Sequence, residues 1–362
     1  MEIKPFQIWD EEECQKQGLL NAALAVRRNV MMASEPGKTA WATDLLKTMG
    51  PSSSGTVVPT SGDTMTALID GDLIAYRAAA ATNGNFYRVK KETTKYYKDA
   101  LRIALKYTKG DEDKDKVIIQ KGSNPEPVSH AGHNMQKMLN NIQSAVERRY
   151  RRPVDLDIFL TSDVLFRDDI SPNYKKSREG TVRPVNLLKC KEYLTNHKGA
   201  QTIHGYEADD MLAMYATELG PTDCVVVSLD KDLLQIPGDH YNFVKDSFDT
   251  VCEHQARQNF WTQVLMGDKT DDIPGLHGVG PVTAKKILKP LHADSTELDY
   301  YRVVLKEWLQ RSTKEPEESE ADFYTRIIKD LSKSARMLWL CREPEVIWDP
   351  PVSVSKDIAE AE

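Results

Sequence analysis

Residues 224–236 read CVVVSLDKDLLQI. An apolar run of cysteine and three valines leads into Ser228 and then into two aspartates, Asp230 and Asp232. A short run of β-branched residues without helical spacing reads as a strand buried on both faces. The acids stand just past its end. The same design recurs upstream. TALID at 66–70 ends in Asp70, and VDLDIFL at 154–160 leads into Asp163 in TSDVLFR. Between the strands, LIAYRAAAA (73–81), residues 86–107 and residues 133–150 carry apolar positions at three- and four-residue spacing, which predicts helices. Strands alternating with helices predict an α/β fold with a mostly parallel central sheet flanked by helices. The carboxyl ends of strands in such a sheet share one crevice, where ligands bind. Acids far apart in the chain therefore converge.

Two further clusters join them: Glu207, Asp209 and Asp210 in GYEADDM, and Asp268 and Asp271 in LMGDKTDDIPG. Two unit charges about 4 Å apart repel by roughly 4 kcal/mol at an effective dielectric near 20. Nine carboxylates in one crevice need positive charge among them, and hard divalent cations with oxygen ligands supply it. Two such ions clamp the attacking and leaving oxygens of a phosphodiester. With 55 acids in 362 residues, any one cluster alone reads as solvated loop acids. Asp230 or Asp232 alone reads as a helix N-cap, and EADD alone as an acidic helix start favoured by the dipole. The five clusters together, in this order, predict a metal-dependent nuclease.

FRDDISPNYKKSREGTVRP (166–184) interleaves Tyr174 with Arg167, Lys175, Lys176, Arg178 and Arg183. Aromatic faces stack on bases and cations grip phosphates; alone, the stretch also reads as a solvated loop. DIPGLHGVGPVTAKKIL (272–288) joins a Pro-Gly turn and a Gly-Val-Gly hairpin to a helix bearing Lys285 and Lys286. Backbone amides at such a helix start bind phosphate. The dinucleotide fingerprint does not fit, because no strand precedes the glycines and the third is missing.

The net charge of −7 is not an obstacle to nucleic-acid binding. Setting aside the nine clustered carboxylates turns it into +2, and setting aside Glu343–Glu362, with six acids against one lysine, leaves +7. No apolar run approaches a membrane span, and the first residues, MEIKPFQIWDEEEC, lack the pattern of a secretory signal. Five cysteines form no CxxC pair, so zinc is not expected and the thiols read as reduced, in a cytoplasmic protein.

Residues 1–48 carry helical spacing, and 49–63, rich in Gly, Ser, Pro and Thr, read as a flexible linker. The α/β domain is expected over 64–252, a helical DNA-binding region over 253–349, and a tail over 350–362. The polar stretch between the helices of 86–107 and 133–150 reads as a loop or insertion.

Taken together, DG at 70–71, Asp163 followed by FR and YKKSR, EADD, SLDKDL and GDKTDDIPGLHGVGPVTAKKIL resemble the 5′-nuclease family. Its members are flap endonucleases, the 5′-nuclease domains of bacterial DNA polymerases and bacteriophage 5′–3′ exonucleases; with no polymerase region, the chain looks most like the last. The resemblance covers about 66–290 and implies a fold like that of PIN domains with a helix–hairpin–helix element. It implies 5′–3′ exonuclease and 5′-flap endonuclease activity on DNA, with RNA-primer hybrids as further substrates and 5′-phosphates left behind. Two metal sites for Mg²⁺ or Mn²⁺ follow: Asp70, Asp163, Glu207, Asp209 and Asp210 in one, Asp230, Asp232, Asp268 and Asp271 in the other. Tyr174, Lys175 and Arg178 match the catalytic arch over the cleft. Arg77, Arg167, Lys176, Gly278, Val279, Gly280, Lys285 and Lys286 are the implied DNA contacts, with K⁺ at the hairpin. The 1–63 extension, which has no counterpart in the family, is left for an unidentified protein partner. The 107–133 insertion has no counterpart either, and Asp272 stands where many relatives have Asn. The competing readings are a non-catalytic structure-specific DNA-binding protein and a PIN-type ribonuclease.

Overall fold

The computed structural model describes residues 64–108 and 118–351. The expected extension, linker and most of the tail lie outside the described residues. In chain order the elements are β1 (Met65–Asp70), α1 (Gly71–Ala81), β2 (Asn85–Val89), β3 (Glu92–Thr94), α2 (Tyr97–Thr108), β4 (Ile119–Ser123), α3 (Val128–Tyr150) and β5 (Val154–Phe159). Then come α4 (Phe166–Ile170), α5 (Leu187–Lys198), α6 (Ala208–Leu219), β6 (Cys224–Val227), β7 (Gly238–Asn242) and β8 (Ser247–Val251). Four helices follow: α7 (Glu253–Met266), α8 (Pro281–Leu288), α9 (Glu297–Arg311) and α10 (Glu320–Leu338).

The main sheet has the order β5-β1-β6-β7-β8. β5, β1, β6 and β7 are parallel and β8 is an antiparallel edge. Side chains alternate across β1. Ala67 and Ile69 enter a core shared with α1, α3 and α5, while Leu68 enters a second core with α6 on the other face. Burial on both faces is why β1 and β6 are nearly continuous apolar runs, while β5, VDLDIF at the sheet edge, carries two aspartates. The chain leaves β1 for β5 on one side and returns to β6 on the other. The end of β1 is thus a topological switch point, where open α/β sheets bind ligands.

β7 and β8 were not expected from the sequence, because GDHYN and SFDTV are half-polar. Asn242 makes their turn, its Oδ1 accepting from the amides of Val244 (3.2 Å) and Lys245 (3.0 Å). A helix was expected over 86–107, but it is confined to 97–108. Residues 85–94 form a hairpin, with Lys90 in the left-handed region (φ 53°) between β2 and β3. The stretch expected as a loop supplies β4, which pairs with β2 and sets Gly122 opposite Phe86. A Cβ on Gly122 would lie 2.4 Å from the Phe86 ring. That long-range pairing overrides the local helical spacing.

Helices α7 to α10 pack around a third core of Trp261, Tyr300, Tyr301 and Leu331. Between α7 and α8, Asp268 and Ile273 pair backbone to backbone. Gly275 passes so close to the end of α7 that a Cβ would lie 2.0 Å from the Met266 carbonyl carbon. Only glycine permits that approach, and it presents the loop bearing Asp268 and Asp271 to the sheet.

Candidate active site

Asp70 ends β1 and caps α1. Its carboxylate accepts from the Leu73 amide at 3.0 Å and from Ser228 Oγ, just past β6, at 3.1 Å. Burial pushes it up to about 6, the Leu73 bond opposing and the charges of Asp72 and Asp230 adding. Asp209, in the first turn of α6, is held well above the carboxylate range by burial first, and then by Asp70, Asp230 and Glu207. Carboxylates from β1, α6 and the segment after β6 therefore feel one another, as the crevice argument required. Asp232 lies next to them. Gln263 Nε2 donates to its Oδ1 at 2.5 Å, and burial, then Asp230 and Asp268, raise it to about 6.

Positive charge enters from the 166–184 segment. Lys175 pairs with Glu207 and stands 3.6 Å from Asp271, and Arg178 pairs with Asp271. Tyr174 donates its hydroxyl to Glu207 at 2.6 Å. Burial pushes Glu207 up, but Arg167 and Lys175 outweigh it and hold the carboxyl below its usual range. Asp271 is raised by burial against the pull of Lys175 and Arg178. The segment is fastened to the 268–272 loop: the Lys175 amide donates to the Asp271 carbonyl at 3.1 Å, and the Ser177 amide to Asp272 Oδ2 at 2.6 Å. Lys175 and Asp272 both adopt left-handed backbone there (φ 54° and 58°). The cleft is lined by Tyr174, Lys175, Arg178, Glu207, Asp209, Asp230, Asp232, Asp268 and Asp271. Gln235 and Gln263, which sequence reasoning passed over, line it too.

Three expected site residues stand elsewhere, and Arg167 borders the cleft without facing out of it. Asp210 is fully buried, and its oxygens are taken by the protein. Oδ2 accepts from Arg167 Nη1 at 2.5 Å and the Glu207 amide at 3.2 Å; Oδ1 accepts from Arg167 Nη2 at 2.9 Å and the Cys341 amide at 3.1 Å. It acts as an internal anchor where a metal ligand was expected. Arg167, expected on DNA, borders the cleft but is 2% exposed and turned inward: it stands 3.4 Å from Glu207 and donates also to the carbonyls of Met337 (2.9 Å) and Trp339 (2.7 Å). Asp163 is exposed on the loop after β5 and does not line the cleft. Thr161 takes the strand-end place, its amide donating to Asp72 and its hydroxyl accepting from the Ala208 amide. Val279 buries its side chain in the third core and donates its amide to the Leu276 carbonyl at 3.2 Å. Lys176, Gly278, Lys285 and Lys286 are exposed, and Arg77 lies 5.8 Å from the Phe243 ring.

Among the described residues no three His, Cys, Asp or Glu side chains form a ready metal cage. The donor chemistry nevertheless fits a hard cation. The acids offer only oxygen, and Asp70, Asp209 and Asp232 are held up by burial and by like charges, which a divalent ion would relieve.

Residues 121–263 match the family model of the 5′-3′ exonuclease N-terminal resolvase-like domain. That stretch holds Asp163, the 166–184 segment, EADD, Asp230 and Asp232. A flap endonuclease Xni from Shewanella baltica (strain OS223) is 30% identical over 173 residues, 43% of this chain and 65% of that protein. The DNA polymerase I of Treponema pallidum (strain Nichols) is 36% identical over 156 residues, 38% of this chain and 16% of the polymerase. A 5′-3′ exonuclease from Buchnera aphidicola subsp. Schizaphis graminum is 31% identical over 170 residues, 42% of this chain and 58% of the relative. The chain thus spans less than two thirds of the length of these relatives. A structure of T5 5′-exonuclease with zinc bound superposes with a TM-score of 0.45 at 16% identity, over 76% of this chain and 89% of that one. Through residues 121–263, the chain is similar to the N-terminal resolvase-like domain of 5′-3′ exonucleases.

Proposed function

We propose that the chain is a divalent-metal-dependent 5′–3′ exodeoxyribonuclease that also cuts 5′ flaps. The observation that carries this reading is the meeting of acids from β1, α6 and the segment after β6 under a lysine, an arginine and a tyrosine. Asp70, Asp209 and Asp230, with Glu207, would hold one Mg²⁺ or Mn²⁺, and Asp232, Asp268 and Asp271 a second. Ions bound there supply Lewis-acid assistance to phosphodiester hydrolysis. Lys175 and Arg178, which now neutralise Glu207 and Asp271, would turn to the phosphate of an incoming strand. Tyr174, kept protonated by burial and by Glu207, remains a hydrogen-bond donor. The Gly278–Gly280 backbone at the start of α8, with Lys285 and Lys286, would grip the duplex behind the cleft, with K⁺ at the hairpin carbonyls.

The pairing of Lys175 with Glu207 and of Arg178 with Asp271, which neutralises two of the acids, favours a second reading, a DNA-binding protein without catalysis. One experiment separates them. Duplex and flap DNA labelled at the 5′ end are incubated with the protein in Mg²⁺ and in chelator. Short products from the 5′ end, with a 5′-phosphate on the remaining strand, are expected in Mg²⁺ alone. Binding without hydrolysis would select the second reading, and digestion from the 3′ end would overturn the first.

A further inference from the structure

Residues 85–123 differ in charge from the rest of the chain. They carry eleven Lys and Arg against six Asp and Glu, a net of +5 in a chain whose net is −7. In the described part, α2 covers one face of the three-stranded sheet β3-β2-β4. Val89 and Ala100 are fully buried, and the Tyr87 and Tyr97 rings meet at 5.4 Å. The turn into α2 reads KETTKYYK (91–98). There Tyr96 is 67% and Tyr97 50% exposed, among exposed Lys91, Lys95 and Lys98. A surface serving solubility alone uses lysines; two adjacent exposed tyrosines between them form a stacking platform with a phosphate grip.

The unit is fixed at its base to the path leading out of the cleft. Asn83 Oδ1 accepts from the Val185 amide at 2.9 Å, and Asn186 Nδ2 donates to the Glu126 carbonyl at 3.0 Å. Val185 follows directly on the basic 166–184 segment. The unit also continues from the far end of α1, whose first turn starts at Asp70, about 16 Å away at 1.5 Å per residue. The family model's match begins only at residue 121, so this surface lies almost wholly outside it.

We propose that residues 85–108, with β4, form a docking surface for single-stranded nucleic acid, stacked on Tyr96 and Tyr97 and held by Lys91, Lys95 and Lys98. That the bound strand is the unpaired 5′ strand of the cleft's substrate rests on the nuclease reading above; the docking surface does not.

The test measures binding of a fluorescent oligodeoxythymidylate to the full chain in chelator, as a function of KCl. Lys91→Gln, Lys95→Gln and Lys98→Gln together should lower the log–log salt slope by about 2, near 0.7 for each lost single-strand phosphate contact. Tyr96→Ala should weaken binding roughly ten-fold with the slope kept, as for one lost base–aromatic stack. Circular dichroism checks that each variant is folded. Parental affinity and slope in the triple variant would overturn the proposal and leave the surface to a protein partner. Mg²⁺-dependent hydrolysis of duplex ends is read on the parent protein alongside. If the parent cuts nothing but the variants still lose oligonucleotide binding, the nuclease reading fails and the docking surface stands.

Discussion

Replacing Arg167 with methionine tests whether this arginine faces DNA or the protein interior. The guanidinium is buried, makes two bonds to buried Asp210 at 2.5 and 2.9 Å, and reaches the carbonyls of Met337 and Trp339. Methionine fills much of the volume but leaves Asp210 with only the amides of Glu207 and Cys341. Hydrogen bonds to charged groups contribute about 1.5–3 kcal/mol each, so the two to Asp210 alone give about 3–6 kcal/mol. Breaking one side of a buried ion pair costs about 3–5 kcal/mol by an independent route. The two routes agree, so Arg167→Met should destabilise by about 4 kcal/mol. Urea unfolding in chelator measures this, and the salt slope of duplex binding, at a temperature where the variant is folded, should match the parent. A phosphate contact would give the opposite pattern: intact stability and a slope lowered by about 0.9. That pattern would refute the structural argument.

Asp70 titrates near 6 in the folded chain against an ordinary 3.8, so the folded form is penalised above pH 6 by up to about 3 kcal/mol, a penalty that fades as pH falls towards 4. Without metal, Asp70→Asn should therefore be more stable than the parent at pH 7.5 and equal to it near pH 4; a difference independent of pH would count against the crowding of acids at β1. Asp230→Asn should abolish hydrolysis in saturating Mg²⁺ while leaving DNA binding intact or tighter, and parental turnover would remove Asp230 from the chemistry. Lys285→Ala with Lys286→Ala should lower the salt slope of duplex binding by about 2, and an unchanged slope would reduce the hairpin to a structural turn. Tyr174→Ala or Lys175→Ala should slow hydrolysis far more than it weakens duplex binding; equal losses in both would make the segment a simple contact surface.

β1 and β6 were legible because each is buried on both faces and so appears as a nearly unbroken apolar run. Asp70 and Asp230 follow from their positions at the ends of such runs. The division of work within EADD was not legible. Neighbouring helical residues point about 100° apart, so Asp209 turns to the other acids while Asp210 turns inward, and nothing local distinguishes them. The partners that absorb Asp210 lie 43 and 131 residues away. Arg167 looked like the rest of its basic segment for the same reason. Asp163 was placed by counting from the strand; the structure uses Thr161 there, through an amide and a hydroxyl that no spacing rule reveals. β2 to β4 were missed because their stability comes from pairing across more than thirty residues of chain, Asn85 to Ser123.

The anchoring of Asp210 also bears on the order in which the site is assembled. The amide of Cys341 and the carbonyls of Met337 and Trp339 belong to a stretch translated long after α6. A ribosome that has made every acid of the cleft, through Asp271, has not yet made the groups that hold the start of α6 in place. Without that stretch, Arg167 and Asp210 would lose three of the groups that cover them. On the nuclease reading proposed above, hydrolysis would begin only once the last helix has emerged and closed behind the site. Arrested chains ending before residue 337 should be inactive on DNA and protease-sensitive near α6, and hydrolysis by such chains would contradict this order of assembly.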